Sequence, residues 1–419
     1  MRTGYGLIWI EQAGITTPFT TPVFPFLQTV SLRTLDNLTP AFVLAEGPSV
    51  APLPVTPDAG LGQGVFPVDR GLGSGYVQQW NVSLQRALSA NTSVEVSYVG
   101  SQITRVGIPD TNLNQLTADQ LALGPVLLQR VPNPYFGRIP RSSSIGDPTI
   151  PLAQLMKPYP RFATVSLYRN NVGTTNYHGI GTRLEHQLSR GLSLHVSYTR
   201  SRLMDDASSV FDASILTGPV ANYPVADSFN RRLERDYSTG DFPHVFVSSV
   251  IWDLPMGAGR PFHPAGVAGA IFSNWTITGL LTLQSGVPVA VTQATNFNAF
   301  AGFGTQRPNL LADPRLPPDQ RSVNRWFSTI AFAVAPQFTI GSSTRNPVRG
   351  PSYRNLDLAL IRRVPFRSGI ALEVRAEVFN ATNTPPLGNP NGVFGAAAFG
   401  TITSAGDPRV VQLALKFLF

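Results

Sequence analysis

The last eleven residues, Arg409 to Phe419, alternate apolar and polar side chains up to the C-terminus. One side of an extended strand would carry Val411, Leu413, Leu415, Phe417 and Phe419. The other side would carry Gln412, Ala414 and Lys416. This period of two predicts a β-strand with one apolar face. A strand that faces lipid needs about ten such residues, whereas a water-soluble strand must bury the same face under a second layer.

Composition favours the lipid-facing interpretation. The chain has 419 residues, no Cys and only 13% charged residues, which is sparse for a soluble enzyme. No apolar run approaches the length of a transmembrane helix, so we expect any contact with a bilayer to be made by strands. The N-terminus does not resemble a signal peptide, because the apolar stretch Leu7 to Ile10 is short and Glu11 ends it. For an exported protein, this predicts a missing upstream part.

The net charge of +8 does not by itself predict a nucleic-acid partner. Lys157 and Lys416 are the two lysines, and the other basic residues are arginines spread along the chain instead of clustered in a stripe. We therefore expect no nucleic acid among the partners.

A hairpin pattern recurs along the chain. The segments LQRALSANTSVEVSYVGS and LEHQLSRGLSLHVSYTRS, which begin at Leu84 and Leu184, match almost position by position. Two further strand pairs follow: Pro243 to Leu254 with Trp275 to Ser285, and Tyr353 to Val364 with Ser368 to Asn380. In the last pair, charged side chains fall on one face only.

The connections between the strands alternate between short and long. The long ones are Glu11 to Gly75, Ile103 to Asn176, Arg202 to Phe242, Gly286 to Ser352 and Ala381 to Pro408, and the first of these reads as mostly irregular. Outer-membrane barrels have short periplasmic turns and long extracellular loops. The fold class predicted is therefore all-β: an antiparallel transmembrane β-barrel, of which about ten strands are visible here.

The strands and their connections together resemble a known family, the TonB-dependent outer-membrane receptors, and within it the Oar-like branch. The matching stretches include RTGYGLIW, YVQQWNVSLQRAL, PHVFVSSVIWDLPMGAGR, NWTITGLLTLQSGVPVAV and ALEVRAEVFNATN. The resemblance implies a barrel of about 22 strands closed around an N-terminal plug. Residues 1–419 would then be the C-terminal part of that barrel domain, with no plug domain and no signal peptide, and Met1 an internal start or a truncated gene model.

The resemblance also implies partners and a location. The expected location is the outer membrane of a Gram-negative type bacterium, with outer-membrane lipid and the barrel assembly machinery as partners. The terminal residues Leu415, Phe417 and Phe419 resemble a barrel assembly signal. The TonB complex would act only through the missing N-terminal part, and the intact protein would bind a polar extracellular ligand.

Motifs that carry chemistry are weak in this sequence. Five histidines (His178, His186, His195, His244 and His263) show no HExxH spacing, so we predict no metal site and no cofactor. In the strand register, His178 and His186 would face lipid, and His195 the lumen. The glycine-rich segments Gly60 to Gly64 and Gly71 to Gly75 lack the context of a nucleotide loop, and no GxSxG motif occurs. We therefore predict no catalytic residues and no enzyme activity.

The charged residues Asp357, Glu373, Arg375 and Glu377 are the lumen-facing candidates, because the register places all of them opposite the lipid side. A hydrated wall is their simplest role, and direct contact with a solute is the alternative. The segment Asn296 to Arg307, rich in Asn, Arg and aromatic residues, suits a polar ligand.

The resemblance implies that the intact protein is a gated importer of a scarce polar solute, either an oligosaccharide or a metal chelate. A passive outer-membrane barrel or a surface adhesin is the alternative. A soluble all-β protein that binds or hydrolyses carbohydrate is a third interpretation.

Overall fold

A computed structural model of the chain describes residues 1–10, 38–40, 42–47, 56, 58, 60–65, 67, 69–108, 111–167, 170–189, 191–207, 225–257, 260–262, 266–367 and 370–419. All structural statements below refer to these residues. His263 and the start of the predicted strand at Ser368 lie outside them.

Ten long antiparallel strands form the main sheet and are here called the wall. They are β1 (Arg2–Ile10), β2 (Gly75–Ser89), β3 (Thr92–Val106), β4 (Gly173–Ser189), β5 (Leu192–Asp205), β6 (His244–Asp253), β7 (Trp275–Gln284), β8 (Tyr353–Arg367), β9 (Ile370–Phe379) and β10 (Val410–Leu418). Each strand pairs with its neighbours in chain order. A two-residue strand, Asp236–Tyr237, pairs with the end of β5. The ten strands expected from the alternation are all present, and the chain has the expected all-β antiparallel class.

One pairing register runs through the whole wall. Leu358 of β8 lies opposite Gly279 of β7 and Val378 of β9, and Leu415 of β10 lies opposite Val374. Residues that face each other in an antiparallel pair share a face of the sheet, and so do residues two apart. Most of the apolar residues of the ten strands therefore share one face, which we call the apolar face. The opposite face, which also contains some apolar residues such as Leu280, is called the polar face.

The apolar face has aromatic residues near both ends. Trp80, Tyr98 and Tyr198 lie toward the long connections, and Trp252 and Trp275 lie toward the short ones. On β6, the eight residue steps from His244 to Trp252 span about 27 Å along the strand. That length suits the apolar band of a tilted outer-membrane strand.

The connections at one end of the wall are short. The turns from Ser89 to Thr92 and from Ser189 to Leu192 contain two residues each, and a helix, Gly266–Phe272, lies within the connection between β6 and β7. Among the described residues, no helix has both the length and the apolar character that a membrane crossing requires.

The long connections form a packed body, here called the cap, instead of irregular loops. Its helices are Ala118–Leu121 and Leu152–Met156, with 3-10 turns at Gly124–Leu128, Arg231–Glu234, Ala299–Ala301, Pro318–Gln320 and Thr329–Ala331. Its short strands are Gly64–Val65, Thr111–Asn112, Arg130–Pro132, Thr149–Pro151, Thr164–Leu167, Pro288–Val289, Thr292–Gln293, Asn309–Leu310, Phe332–Ala333, Val348–Arg349 and Val393–Phe394. The first connection, expected to be mostly irregular, contributes Gly64–Val65 to a small sheet with Thr164–Leu167.

The buried apolar core of the chain lies in the cap. One cluster is built around Leu116, Leu121 and Leu127, and a second around Val291 and Phe327. A third cluster contains Leu61, Ile139, Ile145 and Ile150 and joins the first connection to the second. The cap therefore excludes water by its own packing, whereas the wall leaves its apolar side chains exposed for another medium to cover.

Candidate functional site

The polar face of β8 and β9 brings three of the four charged candidates together. Arg375 lies between the carboxylates of Glu373 and Glu377, at N to O distances of 3.0 and 3.5 Å. Arg363 of β8, directly opposite Glu373, adds a contact of 3.5 Å. The three residues alternate along one strand, and this spacing projects them to the same side. They form a charged ladder in which each carboxylate has a guanidinium neighbour.

Asp357 lies on the same face but belongs to a different arrangement. Its carboxylate accepts the backbone N–H of Asn380 at 2.8 Å and the side-chain N–H of Asn355 at 2.9 Å. Asn380 has a positive φ of 51° and turns the chain out of β9. Asp357 therefore holds a turn at the cap end of the wall. The register places all four candidates on the polar face, and the contacts separate Asp357 from the other three. Their exposure to a lumen stays a prediction.

Three ion pairs, two of them with both side chains buried, attach the fourth long connection to the end of β5 and to the third long connection. Arg345 donates to Asp205, and both side chains are 3% exposed. Arg307 donates to Glu234 at 2.6 Å, and Arg349 donates to Asp241. Arg345 and Asp205 are 140 residues apart in the chain. These pairs could not be predicted from the sequence, because their partners lie far apart in the chain and share no motif.

The segment expected to suit a polar ligand uses its polar groups internally. The amide of Asn296 donates to the carbonyls of Phe303 and Gly304, and that of Asn298 donates to the carbonyl of Thr339. Gln306 donates to the Ala335 carbonyl at 3.0 Å. These groups hold the loop in its own shape, so their role in the structure is to support the cap.

The same segment borders a small pocket that is open to solvent. Its lining includes Leu233, Phe303, Arg307 and Ile340. Because Arg307 is already paired with Glu234, the lining offers a mainly apolar surface with few free polar groups. A polar solute would find little to bind there.

The histidines take part in wall packing. The register places His178 and His186 on the apolar face and His195 on the polar face. Tyr98 and His178 are joined at 2.8 Å between the hydroxyl oxygen and Nδ1, and His186 makes a similar contact with Thr92. Within the described ranges, no three His, Cys, Asp or Glu side chains are grouped so that they could hold a metal ion.

The glycine-rich segment Gly60 to Gly64 packs against the cap core. Gly62 has a positive φ of 79°, and a Cβ there would lie 2.5 Å from a methyl carbon of Ile139. Glycine is therefore required by the backbone conformation and by the close approach of the side chain. The glycine at this position therefore has a packing role in the cap.

Lys157 is a charged side chain buried in the cap. It is 8% exposed, directly after the helix Leu152–Met156. Burial lowers the pKa of Lys157 to about 8 from 10.5, because the charged form loses its water. In the part of the chain that is described, no carboxylate lies within ion-pair distance of it. Burial of the charged lysine thus lowers the stability of the cap at neutral pH.

The terminal residues of β10 are the most exposed apolar group of the wall. Leu415 is 72% exposed, Phe417 is 65% exposed, and Phe419 is fully exposed. The ring of Phe417 stacks on Phe366 of β8 at 6.4 Å between centroids. These apolar side chains therefore remain largely uncovered along the edge strand β10, up to the C-terminal carboxylate.

Comparison with solved structures finds outer-membrane proteins at low identity. The outer membrane transporter YddB from Escherichia coli is 11% identical, with 84% of this chain and 34% of YddB covered and a TM-score of 0.38. The ferripyoverdine receptor of Pseudomonas aeruginosa is 11% identical, with 83% and 28% covered and a TM-score of 0.37. The FrpB iron transporter from Neisseria meningitidis is 10% identical, with 84% and 32% covered and a TM-score of 0.36.

The chain spans about a third of the length of these proteins. No curated protein matches its sequence. A family model does match: the model described as an outer membrane beta barrel domain covers residues 1–412. With that match over nearly the whole sequence and ten antiparallel strands that share one apolar face, the chain belongs to the outer membrane β-barrel domain family, whose place is the bacterial outer membrane.

Proposed function

We propose that this chain supplies barrel wall and extracellular cap to a TonB-dependent receptor of the Oar-like branch. In the intact protein it would act in the energised import of a scarce polar solute. The observation that carries the proposal is the opposition of two faces in one sheet: an apolar face for lipid, and a polar face lined by the charged ladder of Glu373, Arg375 and Glu377.

The polar face is suited to a water-filled lumen. Glu373 is 13% exposed in its side chain and Arg375 38%, so the ladder borders solvent without being fully exposed to it. Paired charges of this kind keep a wall hydrated and carry no fixed net attraction for a cation. Asp357 would hold the turn above the ladder, at the lumen entrance.

The solute class is part of the proposal. An oligosaccharide and a metal chelate are equal candidates, because both are polar and both are too large for passive diffusion through a narrow pore. The buried amides of Asn298 and Gln306 are excluded as contacts by their internal hydrogen bonds, so recognition would use the outer surface of the cap and other parts of the intact protein. No catalytic step is part of this proposal.

Two protein partners follow from the proposal. The TonB complex would act on an N-terminal part of the intact receptor. The barrel assembly machinery would bind the free apolar edge formed by Leu415, Phe417 and Phe419, which offers every second side chain of β10 to a partner strand.

A passive barrel or a surface adhesin is the second candidate. The observation in its favour is the packing of the cap, in which apolar clusters hold the long connections together and the buried pair of Arg345 with Asp205 attaches them to β5. A fixed external surface serves adhesion as well as import.

Uptake measured with and without proton-motive force tests the proposal. The gene would be deleted and restored in its own host, and cells would be offered radiolabelled oligosaccharides and radioactive iron chelates in parallel. We expect one of the two classes to depend on the gene and to lose uptake on addition of a protonophore. Gene-dependent uptake that is insensitive to the protonophore would favour a passive barrel. Lost surface attachment with unchanged uptake would favour an adhesin.

A further inference from the structure

The two faces of the wall differ in which charges they carry: the polar face has carboxylates together with arginines such as Arg363 and Arg375, whereas the charges of the apolar face are arginines. In the strand residues that the structure describes, the carboxylates share the polar face: Glu95, Glu185, Asp205, Asp253, Asp357, Glu373 and Glu377. The apolar face carries arginines without a carboxylate: Arg86, Arg200, Arg202, Arg354 and Arg362. Such a bias is not required by folding, because a lipid-facing surface is best covered by apolar residues alone.

Two arginines and two histidines meet at the cap end of this face and are here called the cationic patch: Arg200, Arg202, His178 and His244. In the register, Arg200 lies directly opposite His244, and Arg202 lies directly opposite His178. All four residues are exposed. Within the described ranges, neither Arg200 nor Arg202 makes an ion pair. The patch therefore presents two arginines without an ion pair on β5, with one histidine on each neighbouring strand. The guanidinium of Arg202 lies 5.3 Å from the centre of the Tyr237 ring.

Two tyrosines orient the histidines of the patch. Tyr98 contacts Nδ1 of His178 at 2.8 Å, and Tyr198 contacts Nδ1 of His244 at 2.7 Å. In both pairs the rings are nearly parallel, with interplanar angles of 20° and 23°. When the hydroxyl donates to Nδ1, a neutral imidazole carries its proton on Nε2. Each histidine then offers an N–H donor on the side away from its tyrosine.

This chemistry fits phosphate. Guanidinium groups bind phosphate oxygens through two parallel N–H donors, and imidazole N–H groups add single hydrogen bonds. The tyrosine rings and the ring of Trp80, which covers Gly100, supply flat surfaces of the kind that pack against sugar rings. A ligand with both phosphate and sugar therefore satisfies more of the patch than a simple phospholipid does.

We propose that the cationic patch binds the phosphate groups of a phosphorylated glycolipid in the outer leaflet. The patch lies on the lipid side of the wall, at the end next to the long connections, where the outer-leaflet headgroups meet the protein. Leu194 and Val196, on the same face of β5 toward the short turns, border the acyl chains of the same lipid. The proposal rests on this orientation of the wall and does not depend on solute import.

Lipid retained during purification tests the proposal. The protein would be produced from its own gene, extracted from outer membranes in a mild non-ionic detergent, and analysed by mass spectrometry for glycolipid per protein. We expect the R200Q/R202Q variant to retain about tenfold less phosphorylated glycolipid than the wild type, which corresponds to roughly 1.4 kcal/mol. The R200K/R202K variant keeps the charge and should retain most of it.

A matched variant removes two arginines elsewhere in the wall. R86Q/R363Q takes one from the apolar face at the short-turn end and one from the polar face, and we expect no loss of glycolipid. Equal retention by R200Q/R202Q and wild type would overturn the proposal. So would equal loss from R86Q/R363Q, since the effect would then be one of total charge.

A measurement on the wild-type protein covers the case in which R200Q/R202Q fails to assemble. Protein in nanodiscs would be offered the bisphosphorylated glycolipid or its dephosphorylated form in competition with unlabelled lipid. A preference of at least tenfold for the phosphorylated form is expected. Equal retention of both forms, or displacement of the glycolipid by millimolar inorganic phosphate, would contradict a site for lipid-borne phosphate.

Discussion

The wall and the cap solve the same problem, the burial of apolar side chains, in opposite ways. In the wall, Leu413 is 78% exposed and Leu415 72% exposed. In the cap, Leu116 and Val291 have no exposed surface. The wall is completed by a surrounding medium, and the cap is completed by its own residues.

Their ion pairs differ in the same way. The wall pairs Arg363 with Glu373 at the surface, where the arginine side chain is 63% exposed. Arg345 of the cap pairs with Asp205 at the end of β5, where both side chains are 3% exposed. A surface pair contributes little to stability, whereas removing one member of a buried pair leaves an uncompensated charge. Mutations should therefore distinguish the two regions: loss of a surface pair should change stability little, and loss of a buried pair should change it strongly.

The largest effect is expected for Arg345→Met. The substitution leaves the Asp205 carboxylate buried without its partner, and breaking such a pair costs about 3 to 5 kcal/mol. Limited proteolysis of the protein in intact outer membranes should show cleavage in the cap that is faster by about two to three powers of ten. The wall should remain heat-modifiable, because its ladder does not depend on this pair.

Arg315→Met is the matched control for Arg345→Met. Its partner is Asp313, and the two side chains are 76% and 56% exposed. We expect this substitution to lower the stability of the cap by less than about 1 kcal/mol and to leave the rate of proteolysis unchanged. If both substitutions leave cleavage rates unchanged, the buried pairs do not hold the cap together.

The next effect distinguishes the two faces of the wall. Leu358 and Leu280 are 39% and 41% exposed, and they lie at the same level on adjacent strands but on opposite faces. Leu358→Arg places a charge in lipid near mid-membrane and should cost about 2 to 4 kcal/mol. Leu280→Arg places it beside Asp357 on the polar face and should cost far less. Urea unfolding of the membrane-inserted protein measures both, and equal costs would contradict the face assignment.

A smaller, pH-dependent effect is expected at Lys157 in the cap. The pKa of its amine is lowered to about 8 from 10.5, so between these values the unfolded chain binds more protons than the folded one. Stability of the cap should therefore rise as the pH increases from about 8 to about 10.5, and it should not change with this group below pH 8. At about 1.4 kcal/mol per pKa unit, the full effect is up to about 3 kcal/mol.

Lys157→Met should remove this pH dependence and stabilise the cap at neutral pH. Urea unfolding followed through the fluorescence of Trp326, which lies in the cap, is the measurement. A Met variant with the same pH dependence as the wild type between pH 8 and pH 10 would show that Lys157 is not its source.

The smallest effect on the folded protein is expected for deletion of Phe419. Its side chain is fully exposed, so the deletion should leave urea unfolding of the assembled wall unchanged. Assembly should nevertheless fall, because the free edge of Leu415, Phe417 and Phe419 is the proposed recognition signal. The amount of heat-modifiable protein in outer-membrane fractions is the readout, and an unchanged amount after the deletion would count against the signal.

The strands of the wall could be predicted from the sequence because their pattern is local. Alternation with a period of two is written into each strand, and a shift by one residue would move every side chain to the other face. The placement of Leu358 and Asp357 on opposite faces follows from this rule alone. The family match and the common register confirm the predicted fold class and location.

The structure of the cap could not be predicted from the sequence, because its contacts join residues far apart in the chain. Arg345 and Asp205 are separated by 140 residues, and no periodicity links them. The role of Asp357 was missed for a different reason. It depends on the left-handed turn at Asn380, and an asparagine directly after a predicted strand is a signal that could have indicated it.

Site-directed labelling of the two wall faces tests the central claim most directly. The chain has no native Cys, so single cysteines at positions 358 and 280 can each carry a fluorophore in outer membranes from cells that produce the protein from its own gene. A quencher attached to lipid acyl chains should quench the label at 358 strongly and the label at 280 weakly, and a water-soluble quencher should give the reverse. Equal quenching at both positions, or stronger lipid quenching at 280, would contradict a wall with one face in lipid and the other in water.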